Sequence, residues 1–183
     1  MAKPYQQGDL DGLCGVYALI NAVDYLCGPL SRSQARRLFK QILVHLETKA
    51  PLASRCTHGI VINDIAGILK YIVCKQYPIQ RFKPFHRQPG VNKQLYLQTL
   101  TEFLQQPNSI VFLALEGYHG HWTLVYRITD KKLLIYDSSE IRYVLLRSCS
   151  MISDRIEKRH WLMPAHTYLL KAADLKCLHK STA

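Results

Sequence analysis

Apolar side chains recur every three or four residues in several stretches of the first 106 positions, a spacing typical of amphipathic helices. The first stretch starts at Cys14 and stops at Gly28-Pro29, a pair that ends helices. Its apolar face consists of Val16, Leu19, Ile20, Val23 and Leu26. Similar spacing predicts further helices over about 31–47, 63–74 and 92–106. The first of these three has Ser31 or Ser33 as its candidate N-terminal cap.

The second half of the chain changes to short runs of β-branched and aromatic residues, which predict strands. These runs cover residues 109–115, 121–128, 132–137, 141–146 and 167–171. The links between them are short, so we expect a largely antiparallel sheet. A further strand with its turns is expected within 78–89. Pro51, Gly59 and several small polar residues make 48–60 a predicted loop that borders a cleft.

Helices followed by strands, without an internal repeat or a convincing linker, predict one α+β domain over residues 1–183. A helical part of about 1–106 would pack on a sheet part of about 107–175.

The apolar runs are too short to cross a bilayer. Six cysteines without a CxxC pair, and an N-terminus unlike a signal peptide, indicate reduced thiols and a cytoplasmic location. Delivery into a host cell as an effector is compatible with the same features.

The formal net charge of +11 is compatible with an acidic protein, nucleic acid or an anionic membrane surface as partner. Part of this charge lies on the second predicted helix, where Arg32, Arg36 and Lys40 follow one another at four-residue spacing beside Arg37. A solvated helix face explains the stripe without any partner. The chain contains no recognisable nucleic-acid module, so nucleic acid is the less favoured partner.

Cys14 lies where a polar, glycine-containing loop meets the first predicted helix. Unpaired backbone N–H groups at the start of a helix stabilise a thiolate over a thiol. Cys14 is therefore the candidate nucleophile. A small buried core cysteine is the competing interpretation, and only partner residues elsewhere in the chain decide between the two.

His121 and Asp137 are the candidate partners of this thiol. His121 opens a predicted strand directly after Gly120, which leaves space for a substrate, and Asp137 ends the next strand. In such a site the histidine holds the cysteine as a thiolate and then protonates the leaving amine, while the carboxylate orients the imidazole. His119, two residues away, competes with His121 for this role or lines the cleft.

The pairing of His121 with Asp137 sets a condition on the hairpin that joins their strands. A slip of one residue moves every side chain to the other face of the sheet, so the two share a face in only one of two registers. A two-residue turn at Asp130-Lys131 puts them on opposite faces. We therefore expect a loop with an odd number of residues, for instance 129–131, or an equivalent bulge, with the two backbones roughly 7–8 Å apart.

This ordered set of residues resembles the papain-like cysteine peptidase superfamily, in the segments 6–26 and 118–139. It comprises a glutamine, Cys-Gly at a helix start, His-Trp on a strand and Asp on the next strand. The likeness is to compact members, including the leader peptidases of bacteriocin exporters and the Josephin deubiquitinases. It implies a papain-like fold with its active site in the cleft between helices and sheet. It also implies Cys14 as nucleophile, His121 as general acid and base and Asp137 as orienter.

The resemblance implies an upstream glutamine as a donor to the oxyanion, beside the backbone N–H of Cys14. Gln7 and Gln6 both qualify for this role, and the sequence does not choose between them. Asp9 or Asp11 is expected to shape the loop between the glutamines and the helix.

Three residues near the candidate histidine are the candidate lining of the substrate cleft: Tyr118, His119 and Trp122. Packing against the sheet is the competing interpretation for the two aromatic rings. His119 with His121, and Cys56 with His58, are the pairs that could begin a metal site. Neither pair has further ligands at suitable spacing, so no metal is predicted.

The three candidate groups attack any amide, so the sequence leaves a peptidase, a protein glutamine deamidase and an acyl transferase open. Each of these reactions passes through a thioester acyl-enzyme and needs no cofactor. The expected partner is a protein or peptide substrate, acidic or ubiquitin-like. The hypothesis from another class is an inactive, basic binding module that keeps only the scaffold.

Overall fold

The computed structural model describes residues 3–88, 90–117, 120–154 and 158–173. Its helices within these ranges are α1 (Cys14–Cys27), α2 (Arg32–Glu47), α3 (Leu52–His58), α4 (Ile62–Ile68), a π-helical turn (Leu69–Val73), α5 (Cys74–Gln76) and α6 (Lys93–Leu104), with 3-10 turns at Leu146–Ser148 and Ile152–Asp154. Its strands are β1 (Ile79–Phe82), β2 (Ser109–Gly117), β3 (His121–Ile128), β4 (Lys132–Tyr136), β5 (Tyr143–Leu145), β6 (Cys149–Met151) and β7 (His160–Ala172). The chain is thus a mixed helix and sheet structure, as the pattern predicts.

The strands form one sheet in the order β1-β7-β2-β3-β4-β5, with β6 beside β7. Every pairing along this path is antiparallel, as the short links between the predicted strands suggest. β6 pairs with β7 in the parallel direction, and this three-residue strand is not among the predicted ones. β1 is the strand expected within 78–89, and it pairs with the far end of β7.

Alternating side chains give the sheet two apolar faces, and helices cover both of them. On one face Phe112 and Leu124 belong to a buried cluster with α1. On the other face Leu113 and Val125 belong to a second cluster with α6. The helical half of the chain is therefore divided between the two sides of the sheet.

The segment 48–60 was predicted as a loop, and this prediction was wrong because it contains α3. None of the seven residues of α3 is buried. Helical periodicity of apolar residues reflects burial, so a short exposed helix leaves no such signal. Arg55 of α3 makes an ion pair with Asp64 of α4 at 3.1 Å, which links α3 to the start of the next helix.

The boundaries of the other helices follow local chemistry. Ser31, rather than Ser33, caps α2, because Ser31 Oγ accepts from the backbone N–H of Gln34 at 3.3 Å and Gln34 Oε1 accepts from Ser31 N–H at 2.8 Å.

No single helix in the described part of the chain is long and apolar enough to cross a membrane. Leu52–His58 and Ile62–Gln76 pass that test only as a pair, with a bend of 119° between them.

The N-terminal segment is fixed between α1 and the end of β4. The backbone N–H of Tyr5 donates to Asn21 Oδ1 at 2.7 Å, and Asn21 Nδ2 donates back to the Tyr5 carbonyl at 3.0 Å. Asn21 is fully buried, so both hydrogen bonds are shielded from water. The backbone N–H of Gln7 donates to the Ser138 carbonyl at 3.0 Å. These contacts set the directions in which the side chains of Gln6 and Gln7 extend.

Candidate active site

Cys14 is the first residue of α1 and is 9% exposed. The backbone N–H of Trp122 donates to Cys14 Sγ at 3.5 Å. The amides of a first helical turn have no partners within the helix, so they add partial positive charge near this sulfur. The start of α1 and the start of β3 therefore meet at the thiol.

His121 and Asp137 form a hydrogen-bonded pair beside Cys14. His121 Nε2 lies 2.7 Å from Asp137 Oδ2, and the side chain of Asp137 is 1% exposed. The carboxylate has two further donors: the hydroxyl of Thr123 on Oδ2, and the backbone N–H of Ser139 on Oδ1 at 2.7 Å. Because Nε2 is engaged by Asp137, Nδ1 is the ring nitrogen left for the thiol.

The pKa of His121 reflects opposed effects of its surroundings. Burial lowers it, because the charged imidazolium loses water. Hydrogen bonds to the side chains of Asp137 and Cys14, together with the negative charge of both groups, outweigh burial and raise the pKa of His121 to about 10. The ring beside the Cys14 sulfur is thus positively charged at neutral pH.

The turn between β3 and β4 differs from the expected loop with an odd number of residues. Ile128 pairs with Leu133, and the backbone N–H of Thr129 donates to the Lys132 carbonyl at 2.9 Å. The turn is therefore the two-residue Asp130-Lys131. The prediction of a loop over 129–131 was wrong, and with a regular ladder this turn would place His121 and Asp137 on opposite faces.

A β-bulge at Tyr126 reverses that outcome. The register shifts between Val125 and Arg127, and beyond the shift Leu124 pairs with Tyr136. Continuing this register by one residue brings Thr123 opposite Asp137, consistent with the hydrogen bond between their side chains. The equivalent bulge, which was the other expectation, is confirmed. An extra residue of this kind shifts all later side chains by one position and increases the local twist.

Gln7 faces the same cavity as Cys14. Its Nε2 donates to the Asp11 carbonyl at 3.1 Å, and its Oε1 accepts from Ser138 Oγ at 3.3 Å. An amide nitrogen carries two protons, so one N–H of Gln7 is left for a group bound in the cavity. The hydrogen bonds of the other atoms hold the amide in place.

Gln6 extends away from this cavity. Its Nε2 donates to the Pro4 carbonyl at 3.0 Å and to the Asp137 carbonyl at 3.3 Å, which uses both amide protons. It lines a different cavity, on the side of Ile135 and Arg142. Between the two glutamines, only Gln7 is thus placed to donate to a group on Cys14.

The loop before Cys14 is shaped by Asp11. Its Oδ1 accepts from the backbone N–H of Leu13 and its Oδ2 from that of Gly8, each at 3.0 Å. Asp9, the other expected loop residue, is exposed. Asp11 thereby orders both the approach to α1 and, through its carbonyl, the side chain of Gln7.

A cavity of about 520 Å³ opens over Cys14, and we call it the thiol cavity. One wall comes from the connection between α3 and α4, and the other comes from the ends of β2 and β3. Its lining includes Gly12, His58, Gly59, Ile60, Ala114, Glu116, Gly120, His121, Trp122 and His166. Gly12 and Gly59 let the loop before α1 pack closely on the end of α3, since a Cβ at Gly12 would lie 2.9 Å from Gly59 N.

Trp122 both lines the thiol cavity and packs against the sheet, which are the two interpretations that the sequence leaves open. It is 8% exposed and stacks on Phe112 with ring centroids 5.2 Å apart. Its indole N–H donates to the Ile60 carbonyl at 2.9 Å, which ties the two walls of the thiol cavity together. Tyr118 and His119, the other two residues predicted to line the cleft, lie outside the described residues.

A second cavity, of about 560 Å³, shares His121 with the thiol cavity but does not include Cys14. We call it the histidine cavity. Leu115 contributes to it from the face of the sheet that packs on α6. Its lining also includes Ser139, Ile141, Tyr143, Arg159 and His160. His121 therefore separates two adjoining spaces at the end of the sheet.

Gly15, the second residue of α1, allows the cavity wall to approach the helix. A Cβ at this position would lie 2.8 Å from Ile60 Cδ1 and 3.1 Å from Ile65 Cδ1. Ile60 is also the residue whose carbonyl accepts from Trp122. The Cys-Gly pair thus has a packing reason in addition to any chemical one.

We expect Gly15→Ala to lower the free energy of unfolding by about 1–3 kcal/mol, because the added methyl overpacks the contact with Ile60. Urea denaturation measures this change. The matched control is Gly67→Ala in α4, where the new Cβ meets only the end of the His45 side chain. Loss of a helical glycine there should leave stability unchanged or raise it by up to about 1 kcal/mol. Equal destabilisation by both variants would contradict the packing argument.

Three residues of the site were not identified from the sequence: Thr123, Glu116 and His166. Thr123 was detectable, since it lies two residues after His121 on the same face of a strand. His166 lies in an irregular part of β7, two residues after Pro164, and a proline inside a strand signals a bulge. Glu116 left no signal, because a charged residue near a strand end is ordinary.

Within the described ranges, no three His, Cys, Asp or Glu side chains are grouped closely enough to hold a metal ion.

Comparisons with known proteins give a likeness in structure but none in sequence. No family model matches the chain, and no curated protein matches it. Among solved structures it is similar to the peptidase domain of Streptococcus ComA, a bi-functional ABC transporter involved in a quorum sensing pathway. The two share 14% sequence identity with a TM-score of 0.49, over 94% of this chain and 100% of that chain.

Proposed function

We propose that this protein is a papain-like cysteine hydrolase that cleaves amide bonds in a polypeptide. The observation that carries the proposal is the connected series of Cys14, His121 and Asp137 at the edge of an open cavity. Asp137 is nearly fully buried and has three donors, and His121 has a pKa raised to about 10. Burial of a charged pair costs stability unless its members are well paired, so such a pair facing a thiol favours a chemical role.

The reaction follows from the positions of the atoms. The Cys14 thiolate attacks the carbonyl carbon of the substrate, and protonated His121 gives its Nδ1 proton to the leaving amine as the C–N bond breaks. A thioester to Cys14 remains. Neutral His121 then takes a proton from water, the resulting hydroxide attacks the thioester, and the thiolate leaves. Asp137 stays ionised throughout and holds Nε2.

Negative charge that develops on the carbonyl oxygen needs donors fixed in advance. The backbone N–H of Cys14, in the first turn of α1, is one such donor, and the remaining amide proton of Gln7 is the other. Asp11 and Ser138 hold the Gln7 amide, so no reorganisation is needed when charge appears.

The two cavities support an extended polypeptide as substrate rather than a small amide. The acyl part stays attached to Cys14, and the thiol cavity contains that residue. The leaving amine is protonated by His121, and the histidine cavity adjoins this residue without Cys14. A chain lying across the pair would therefore have one flank in each cavity.

Covalent probes test this function directly. The protein is incubated either with ubiquitin carrying a C-terminal electrophile or with short peptide vinyl sulfones, and intact-protein mass spectrometry followed by peptide mapping locates the adduct. We expect a single adduct on Cys14 from at least one probe class, and the reacting class identifies the kind of substrate. Labelling of Cys14 no faster than that of the exposed Cys27 would instead support an inactive binding module.

The two glutamines give a further prediction. We expect Gln7→Ala to reduce the rate of peptide hydrolysis about 100-fold, because one donor to the oxyanion is lost. Gln6→Ala serves as the control and should retain most of the rate, since its amide faces another cavity. Steady-state kinetics of both variants on the same fluorogenic peptide provide the comparison. A larger loss for Gln6→Ala would reassign the oxyanion donor.

A further inference from the structure

Glu116 is a negative charge in the thiol cavity that the proposed reaction does not use. It is half-buried near the end of β2 and is the only acidic residue among the described residues that line this cavity. Within residues 3–88, 90–117, 120–154 and 158–173 it has no ion pair and no hydrogen bond of its side chain. A partly desolvated carboxylate without a partner has unsatisfied acceptor capacity.

The register of the sheet directs Glu116 toward Cys14 rather than toward the histidine cavity. Ala114 pairs with Trp122, and both line the thiol cavity, so Glu116 two residues further along β2 lies on the same face. A Cβ at Gly120 would lie 3.2 Å from Glu116 Oε2. The glycine before His121 therefore leaves space that the carboxylate occupies at the rim of the cavity.

His166 lies beside this carboxylate but does not neutralise it. It comes from an irregular part of β7. Thr167 pairs with Leu113 and Leu162 pairs with Leu115, so residues 163–166 lie opposite a single residue of β2. Its ring stacks on Trp122 with centroids 5.9 Å apart. Burial lowers the pKa of His166 despite the nearby charge of Glu116, and its Nδ1 is buried without a hydrogen-bond partner. The positive charge of Lys83 also lowers the pKa of His166. The ring is therefore an uncharged aromatic surface beside Glu116, which makes no ion pair within the described residues.

We propose that Glu116, with the stacked rings of His166 and Trp122, forms a subsite for a lysine or arginine side chain of the substrate. The aliphatic stem of such a residue packs on aromatic rings while its charged head pairs with a carboxylate. Because the thiol cavity holds the acyl part, this residue lies on the acyl side of the scissile bond. The inference rests on the proposed function, since it takes Cys14 as the reacting atom.

The subsite has a negative charge, whereas the whole molecule has a positive net charge. A chain with a formal net charge of +11 attracts acidic molecules at long range. Selection next to the thiol is decided at short range by Glu116, where exclusion of water strengthens the interaction. The substrate expected from this site therefore carries a basic residue near the cleaved bond, whatever its overall charge.

Tetrapeptide vinyl sulfones test this subsite. Lysine, norleucine or glutamate is placed in turn at each of the last three positions, and the second-order rate of Cys14 modification is measured by mass spectrometry. At one of these positions we expect lysine to react about tenfold faster than norleucine, and glutamate to react slowest, because a hydrogen bond to a charged group is among the stronger ones. Glu116→Gln should remove the preference, and Glu116→Lys should invert it toward glutamate.

Controls separate the subsite from the chemistry. Glu102→Gln, an exposed glutamate on α6, should keep the preference of the unmodified protein. Iodoacetamide has no peptide to recognise, so the vinyl sulfone rate of each variant is divided by its own rate of Cys14 modification by iodoacetamide, which separates recognition from thiol reactivity. Peptide probes that all label Cys14 without any lysine preference, or a preference that survives Glu116→Gln, would overturn the subsite and leave the proposed function standing. Slow labelling of Cys14 by iodoacetamide and by every probe would overturn both.

Discussion

His121→Ala is expected to slow the alkylation of Cys14 by iodoacetamide about 100-fold at pH 6. An ordinary thiol has only a small fraction of its molecules in the reactive thiolate form at that pH. In the proposed site the positive ring of His121 stabilises a thiolate at Cys14, and the hydrogen bond to Asp137 favours the protonated ring. Removing the ring leaves Cys14 with only the amides of the helix start and of Trp122.

The comparison is followed by mass spectrometry of the cysteine-containing peptides from pH 5 to pH 9. Cys27, which is exposed, reports the behaviour of a thiol outside the site in the same sample. His58→Ala is the matched control, because His58 lines the thiol cavity but its Nδ1 contacts Thr57 and Ser54. A rate for Cys14 that is the same in His121→Ala and in the unmodified protein would show that the pair does not activate the thiol.

Asp137→Asn is expected to reduce kcat for hydrolysis of a peptide about 1000-fold, because a buried carboxylate that orients a catalytic histidine has effects of this order. The substitution keeps the shape of the side chain but removes its charge. Without that charge the pKa of His121 falls. The amide also competes with the ring as a hydrogen-bond donor, so Nε2 loses its fixed partner.

The pH profile distinguishes this role from a loss of stability. The leaving amine needs a protonated His121, so the rate of the unmodified protein should fall as pH rises through the pKa of about 10. In Asp137→Asn the same fall should occur at lower pH, since the charge of Asp137 and its hydrogen bond to the ring, which raise the pKa of His121, are lost. Asp130→Asn in the turn between β3 and β4 serves as the control. A lower rate with an unchanged profile would indicate that Asp137 only supports the fold.

Several features of the molecule could be predicted from the sequence because they depend on local order. The helix start at Cys14 follows from a polar loop before apolar residues at helical spacing, and α1 begins at that residue. β3 begins at His121 as predicted, because β-branched and aromatic residues follow a glycine there. The ends of β2 and β7 extend beyond the predicted limits, since pairing with a long neighbour stabilises residues of any type.

Other features could not be predicted because they depend on contacts between distant parts of the chain. α3 has no buried face, so its sequence has no helical spacing of apolar residues. The ion pair between Arg55 and Asp64, which links α3 to α4, does not follow from such spacing either. The choice between Gln6 and Gln7 depends on how Asn21 and Ser138 hold the N-terminal segment. The division of the helices between two faces of the sheet likewise results from packing rather than from their order in the chain.

The sequence by itself determined the residue types and the elements that carry them: a cysteine at a helix start, a histidine at a strand start and an aspartate at the end of the next strand. Local periodicity and turn chemistry are sufficient for that. The tertiary structure decided whether these groups meet. The turn at Asp130-Lys131 alone would separate His121 from Asp137, and the single extra residue at Tyr126 brings them to one face. A bulge is stabilised by the sum of its neighbours' packing and hydrogen bonds, and only the folded sheet supplies these.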